Sequence, residues 1–159
     1  MKWIDLSTGF STFLSGLYGG TGFFIVMGGN PAITRMSDKT FAEFWQHLDH
    51  FMAARMPVFG PILLLSLLLS VILLFREAGG LPAWLMLTAL LIIVGDLVFT
   101  LSVNHPYNRL IQSWDLDNLP PDVRTIRDKV VDAFYIRILF MIGAFMMVIL
   151  SAWLRRSSR

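Results

Sequence analysis

Four stretches of this chain are long enough and apolar enough to cross a lipid bilayer, at about residues 10–27, 57–75, 81–103 and 134–154. The chain has only 159 residues, of which 55% are hydrophobic. Small domains leave much of their surface exposed, so one soluble core has too little interior to bury four such stretches. Charged residues make up 15%, well below the roughly 25% of a soluble domain. The excess apolar surface is expected to face lipid. In hydrocarbon each segment must satisfy its own backbone hydrogen bonds, which makes every span a helix. The expected fold class is all-α, an integral membrane four-helix bundle forming one membrane domain.

Two longer connections, residues 28–56 and 104–133, join the spans, and four spans place both on one side of the membrane. The turn Arg76-Glu77-Ala78-Gly79-Gly80 and both termini fall on the other side. Lys2, Arg76, Arg155, Arg156 and Arg159 crowd those short segments, so the positive-inside rule expects both termini in the cytoplasm, in a cell membrane of the bacterial inner type. Met1-Lys2-Trp3-Ile4-Asp5 is a poor secretory signal and is expected to be retained.

The first connection carries a helical pattern. Thr40 followed by Glu43 fits a capping box, and Phe41, Phe44, Trp45, Leu48, Phe51, Met52 and Met56 form one apolar face. A short amphipathic interfacial helix over about residues 40–56 is expected, broken or kinked at Pro57. In the second connection Pro106 disfavours α geometry at His105, so the third helix is expected to end near Asn104. The fourth helix is expected to begin before it enters lipid. Gly16 and Gly20 make a GxxxG pattern with Gly19 and Gly22 beside them, which points to close helix packing and leaves a homo-oligomer contact open.

Asp96 is an acid inside a span, where charges face the bundle interior and take partners. Thr100 and Asn104 follow at i+4 and i+8, giving a polar stripe on one helix face. Arg137 enters the fourth span from the same side and can reach Asp96 by bending its side chain along the helix. Such a pair is either a structural clamp between two helices or part of a substrate or proton site. Asp128, Asp132 and Tyr135 lie on a different face of the fourth helix.

Several chemistries are excluded. Without cysteine there is no disulfide, thiolate zinc site, iron–sulfur cluster or thiol nucleophile. P-loop, GxGxxG, GxSxG and HExxH motifs are missing. The net charge is +2 with no basic stripe, so no nucleic-acid partner is expected. No inverted repeat marks a transporter. His47, His50 and His105 all fall in the long connections and keep a metal or haem site open as an alternative, with surface or capping roles the plainer expectation.

Taken together, these residues resemble the anthrone-oxygenase-like family of small four-helix membrane proteins. The resemblance begins with the Gly-rich first span leading to Asn30-Pro31-Ala32 and continues through Arg55-Met56-Pro57. It is clearest from Phe99-Thr100 through Asn104-His105-Pro106-Tyr107-Asn108-Arg109-Leu110, where an Asn-x-Pro-x-Asn pattern follows a span-ending Thr. Trp114-Asp115, the Pro120-Pro121 pair, Arg124, Arg127 and Arg137 also fit. One departure stands out: Val130 and Phe134 occupy places where the family often has a Trp and a His. The resemblance implies oxygenation of a small apolar quinoid or polyaromatic substrate, such as an anthrone, without a cofactor. On that implication Asp96 is the base, and Arg137, Asn104 and Asn108 steady an oxyanion. Tyr18, Trp45, Tyr107 and Trp114 would flank a planar substrate, with Thr100, His105, Arg109 and Arg55 around it. Membrane lipid and a small apolar ligand are the expected partners. The alternative function is a non-catalytic module, binding a lipid or small molecule or serving as a subunit of a membrane complex.

Overall fold

The computed structural model describes residues 3–77 and 79–157. Met1, Lys2, Ala78 and Arg159, which enter the orientation argument and the expected turn, lie outside the described residues. The architecture is all-helical: α1 (Trp3–Phe24), a π-helical turn (Ile25–Gly29), α2 (Asn30–Arg35), α3 (Asp38–Glu77), α4 (Gly80–Phe99), a second π-helical turn (Thr100–Asn104), α5 (His105–Gln112) and α6 (Val123–Ser157). They make up four near-continuous rods, each with a window long and apolar enough to cross a membrane. The protein is a membrane four-helix bundle.

The rods outrun the membrane. At 1.5 Å per residue, the 40 residues of α3 span about 60 Å, against a hydrocarbon core of about 30 Å. The surplus builds a second core. Ile4, Leu14, Leu63, Leu67, Leu74, Met86 and Val148 belong to a core in the apolar halves of the rods. Ile33, Phe41, Trp45, Ile111, Val123, Ile126, Val130 and Val131 form a separate one, drawn from the segments that flank the spans. The stretches expected as long connections are therefore mostly helical, and they pack on one another.

Several expectations need correcting. Residues 40–56 are helical but do not form a separate short helix, because α3 runs unbroken through Pro57 and Pro61. A proline removes one donor and crowds the preceding turn, and membrane helices accommodate this by local adjustment. The buried face of this half, Phe41, Ala42 and Trp45, faces the second core, while Phe44 and Phe51 stay exposed. Nor does its cap sit at Thr40. Ser37 precedes the first helical residue, and its Oγ accepts a bond from the Thr40 amide at 3.2 Å.

The third rod likewise does not end at Asn104. The backbone widens into a π turn over Thr100–Asn104 and resumes as α5 with Pro106 in its first turn, where a missing N–H costs least. Ile25–Gly29 does the same ahead of Pro31. At the other end of the bundle, Gly79 and Gly80 both have positive φ (60° and 64°), which only glycine adopts readily, and they turn the chain from α3 into α4. In the seam between α1 and α6, Gly16, Gly19 and Gly22 take part as expected and Gly20 does not. A Cβ added to Gly20 would meet nothing within 4 Å, whereas at Gly22 it would lie 2.6 Å from Met141 Sδ. Gly19 and Gly22 carry the close approach, with Gly16 against Phe145.

Candidate functional site: a buried tyrosine, aspartate and arginine

Three rods each contribute one polar side chain to a single cluster: Tyr18 from α1, Asp96 from α4 and Arg137 from α6. The Asp96 carboxylate is fully buried, with 0% exposure, and the Arg137 side chain is 12% exposed. The guanidinium grips the carboxylate with two bonds, Nε to Oδ1 at 3.0 Å and Nη2 to Oδ2 at 3.2 Å. This two-pronged geometry suits arginine, whose planar fork matches a carboxylate. Tyr18 closes the cluster. Its hydroxyl donates to Asp96 Oδ2 and accepts from Arg137 Nη2 at 3.2 Å. A lone buried carboxylate would be strongly disfavoured, and the opposite charge of Arg137 with the hydrogen bond from Tyr18 offsets its lost hydration.

Aromatic rings wall the cluster on two sides. The Tyr18 ring stacks on Phe59 with centroids 6.4 Å apart, and the Arg137 guanidinium lies 5.2 Å from the Phe134 centroid. Phe59 and Tyr18 pack on the membrane core, while Phe134 packs on the second core. The cluster thus lies where the two cores meet. Toward the second core come three polar groups whose oxygens have no partner among the described residues: Thr100 Oγ1, Asn104 Oδ1 and Asn30 Oδ1. Asn104 is 2% exposed and Asn30 0%, and the latter donates through Nδ2 to Val131 O at 3.3 Å. Both asparagines sit at the exit of a π turn, a local geometry common at functional sites.

The other residues singled out from the sequence fall elsewhere. Asn108 belongs to a second network, accepting from Trp45 Nε1 at 3.1 Å and donating to Asp49 Oδ1 at 2.6 Å. Gln46 donates to the carbonyls of Ile111 and Trp114, tying α3 to α5. Trp45 meets Phe134 edge-on at 5.9 Å, an aromatic step connecting this network to Arg137. Tyr107 and Trp114 pack against the second core, and Lys129 Nζ lies 5.9 Å from the Tyr107 ring. Arg55 is exposed and folds back on Phe51, bonding its carbonyl at 3.0 Å. His105 and Arg109 are exposed. His47 and His50 are exposed, and no group of three His, Asp or Glu among the described residues is placed to hold a metal ion. A cavity of about 540 Å³ lies away from the cluster, lined in part by Leu110, Trp114, Leu119 and Asp122.

Sequence reasoning paired Asp96 with Arg137 and gave Tyr18 only an aromatic role. It missed Asn30, Asp49, Phe59 and the ion pair of Asp5 with Arg155 at 2.5 Å. The position of Asn30 directly before Pro31, echoing Asn104 before His105-Pro106, was a usable signal.

Comparison with known proteins bears on the cluster. The family model described as anthrone oxygenase matches residues 49–147, which include Asp96, Thr100, Asn104 and Arg137 but not Tyr18. No curated protein and no solved structure matches the chain. The match covers more than half of the sequence, including all of α4 and α5, and this chain belongs to the anthrone oxygenase family.

Proposed function

We propose that this membrane protein oxygenates a small, planar, apolar substrate of quinoid or polyaromatic type at the Tyr18–Asp96–Arg137 cluster. One observation carries the reading: a carboxylate with no solvent exposure is held by a guanidinium and a phenol between two apolar cores. In the reaction, an activated methylene loses a proton to Asp96, and the resulting enolate oxygen is held by Arg137 and Tyr18. The carbanion carbon adds dioxygen. Loss of water from the resulting hydroperoxide leaves a carbonyl, so one methylene and one dioxygen give one ketone and one water. The residues supply a base and two oxyanion donors, set between apolar side chains. Thr100, Asn104 and Asn30 offer acceptors for hydroxyl groups on the substrate. Asn108 and Trp45 act one shell out, holding Phe134 in place.

The test is oxygen uptake by purified protein in lipid vesicles supplied with an anthrone. Tyr18→Phe keeps the ring and removes one oxyanion donor, so it should lower kcat by about tenfold to a thousandfold with the fold retained. Wild-type protein that consumes no oxygen above the spontaneous rate sinks the reading. A second reading, a non-catalytic lipid-binding or small-molecule-binding module, is favoured by the saturation of both Asp96 oxygens within the protein. Mass spectrometry of gently extracted protein tests it, since a bound lipophile without turnover is its signature. We place the chain in the cell membrane with both termini in the cytoplasm, on the strength of Arg76, Arg155 and Arg156 at that end. Protease access to terminal tags in intact cells and in inverted vesicles tests the orientation.

A further inference from the structure

Ser7, Ser11 and Ser15 follow one another at single-turn spacing along the buried face of α1, and Tyr18 comes next on that face. Opposite them α3 presents Ser70. Its Oγ lies 2.7 Å from Ser7 Oγ and 2.9 Å from Ser11 Oγ, which links three buried hydroxyls into one chain. At the far end of this line Arg155 bonds Asp5 at 2.5 Å and Thr8 Oγ1 at 3.4 Å. Asp5 is 28% exposed there, so the line opens to solvent. At its inner end it reaches Tyr18 and Asp96.

Hydroxyl contacts between helices are ordinary glue in membrane bundles, and Ser7, Ser11 and Ser70 satisfy one another in that way. Ser15 does not fit this account. It is 1% exposed, yet its Oγ has no partner among the described residues. Buried polar groups in native proteins are paired with protein or with ordered water. Ser15 stands along α1 between a satisfied hydroxyl chain and the charged cluster.

We infer that water fills the breaks in this line and, with the serine hydroxyls, forms a file joining the Tyr18–Asp96–Arg137 cluster to the aqueous phase at the Asp5–Arg155 end. Water both donates to and accepts from hydroxyls, and a polar gap between two to four such partners is where buried water settles. The file gives the buried carboxylate and phenol an exchange route for protons. The inference goes beyond the oxygenase reading and stands without it, because it concerns access to the cluster whatever the cluster does.

The absence of cysteine from the chain makes the test direct. Ser15→Cys, Ser11→Cys and Phe13→Cys are prepared as single variants of the full chain in lipid vesicles, Phe13 being 62% exposed on the outer surface of α1. Each is exposed to silver ion, an aqueous thiol reagent about the size of water, and the surviving thiols are counted with a maleimide after denaturation. Thiolates form in water and not in hydrocarbon. The file predicts that Ser15→Cys and Ser11→Cys react at least about tenfold faster than Phe13→Cys. Rates at or below that of Phe13→Cys overturn it. If one serine variant fails to fold, the other carries the same comparison.

Discussion

Breaking the Asp96–Arg137 pair from each side should cost different amounts, and breaking it from both sides should cost less than the two together. Arg137→Met leaves a carboxylate with 0% exposure facing only the Tyr18 hydroxyl, so the charge has no route to solvent. Removing one partner of a buried pair typically costs about 3–5 kcal/mol, and this variant should fall at the upper end. Asp96→Asn strands a guanidinium that starts at 12% exposure on a long, bendable stem, so part of its charge can reach water. That variant should fall at the lower end, about 3 kcal/mol. The double variant Asp96→Asn with Arg137→Met strands neither charge. Its loss should be smaller than the sum of the singles by about 2–3 kcal/mol. The assay is denaturant titration in mixed micelles, with helicity followed by far-ultraviolet circular dichroism. Losses that add to within about 0.5 kcal/mol refute the reasoning, since the two side chains would then not be energetically coupled.

Three further outcomes follow from the packing. Gly22→Val drives a branched side chain into Met141 and should destabilise by about 1–3 kcal/mol, whereas Gly20→Val, facing open space, should leave the same unfolding midpoint unchanged. Ser37→Ala removes the cap of α3 and should cost about 1 kcal/mol, more than Thr40→Ala does; equal losses would return the cap to Thr40. The exposed Lys39–Asp117 pair is joined at 2.8 Å; that bond, and then the opposite charge, lowers the Asp117 carboxyl and raises the Lys39 ammonium. By linkage the Asp117 share is present above the ordinary carboxylate range and lost only as pH falls through its lowered value. The Lys39 share is present below the ordinary lysine range and lost only as pH rises through its raised one. Asp117→Asn should therefore leave the difference in midpoint from wild type flat across neutral pH, and a slope there in circular-dichroism melts would contradict it.

The spans and the Asp96–Arg137 pair were legible in the sequence because each has a one-dimensional signature. A lipid-crossing helix is a run of apolar residues, and an acid within such a run must find a cation. What the sequence hid was set by contacts between distant segments. Tyr18 and Phe13 look alike along α1, and only the placement of α4 and α6 makes one a partner of Asp96 and leaves the other on the outside. Asn108 has the motif position of a site residue, yet Asp49 and Trp45, 59 and 63 residues away, hold it in another network. Pro57 and Pro106 read as helix ends because proline usually ends helices in water. In long rods packed side by side, neighbouring turns absorb the missing donor, and the helix continues.

The π turns before Pro31 and Pro106 act as angular spacers. Each slots one surplus residue into its rod, and a single residue is worth about 100° of rotation around a helix axis. Forcing plain α geometry on the third rod with every residue kept would swing everything beyond the turn by that angle. Ile111, now sealed inside the second core, would turn outward while Asp96 stayed put. The half of the rod that holds the ionic cluster and the half that grips the second core are thus phased independently. Each face can be set to its own neighbours, and the widened turn between them takes up the difference.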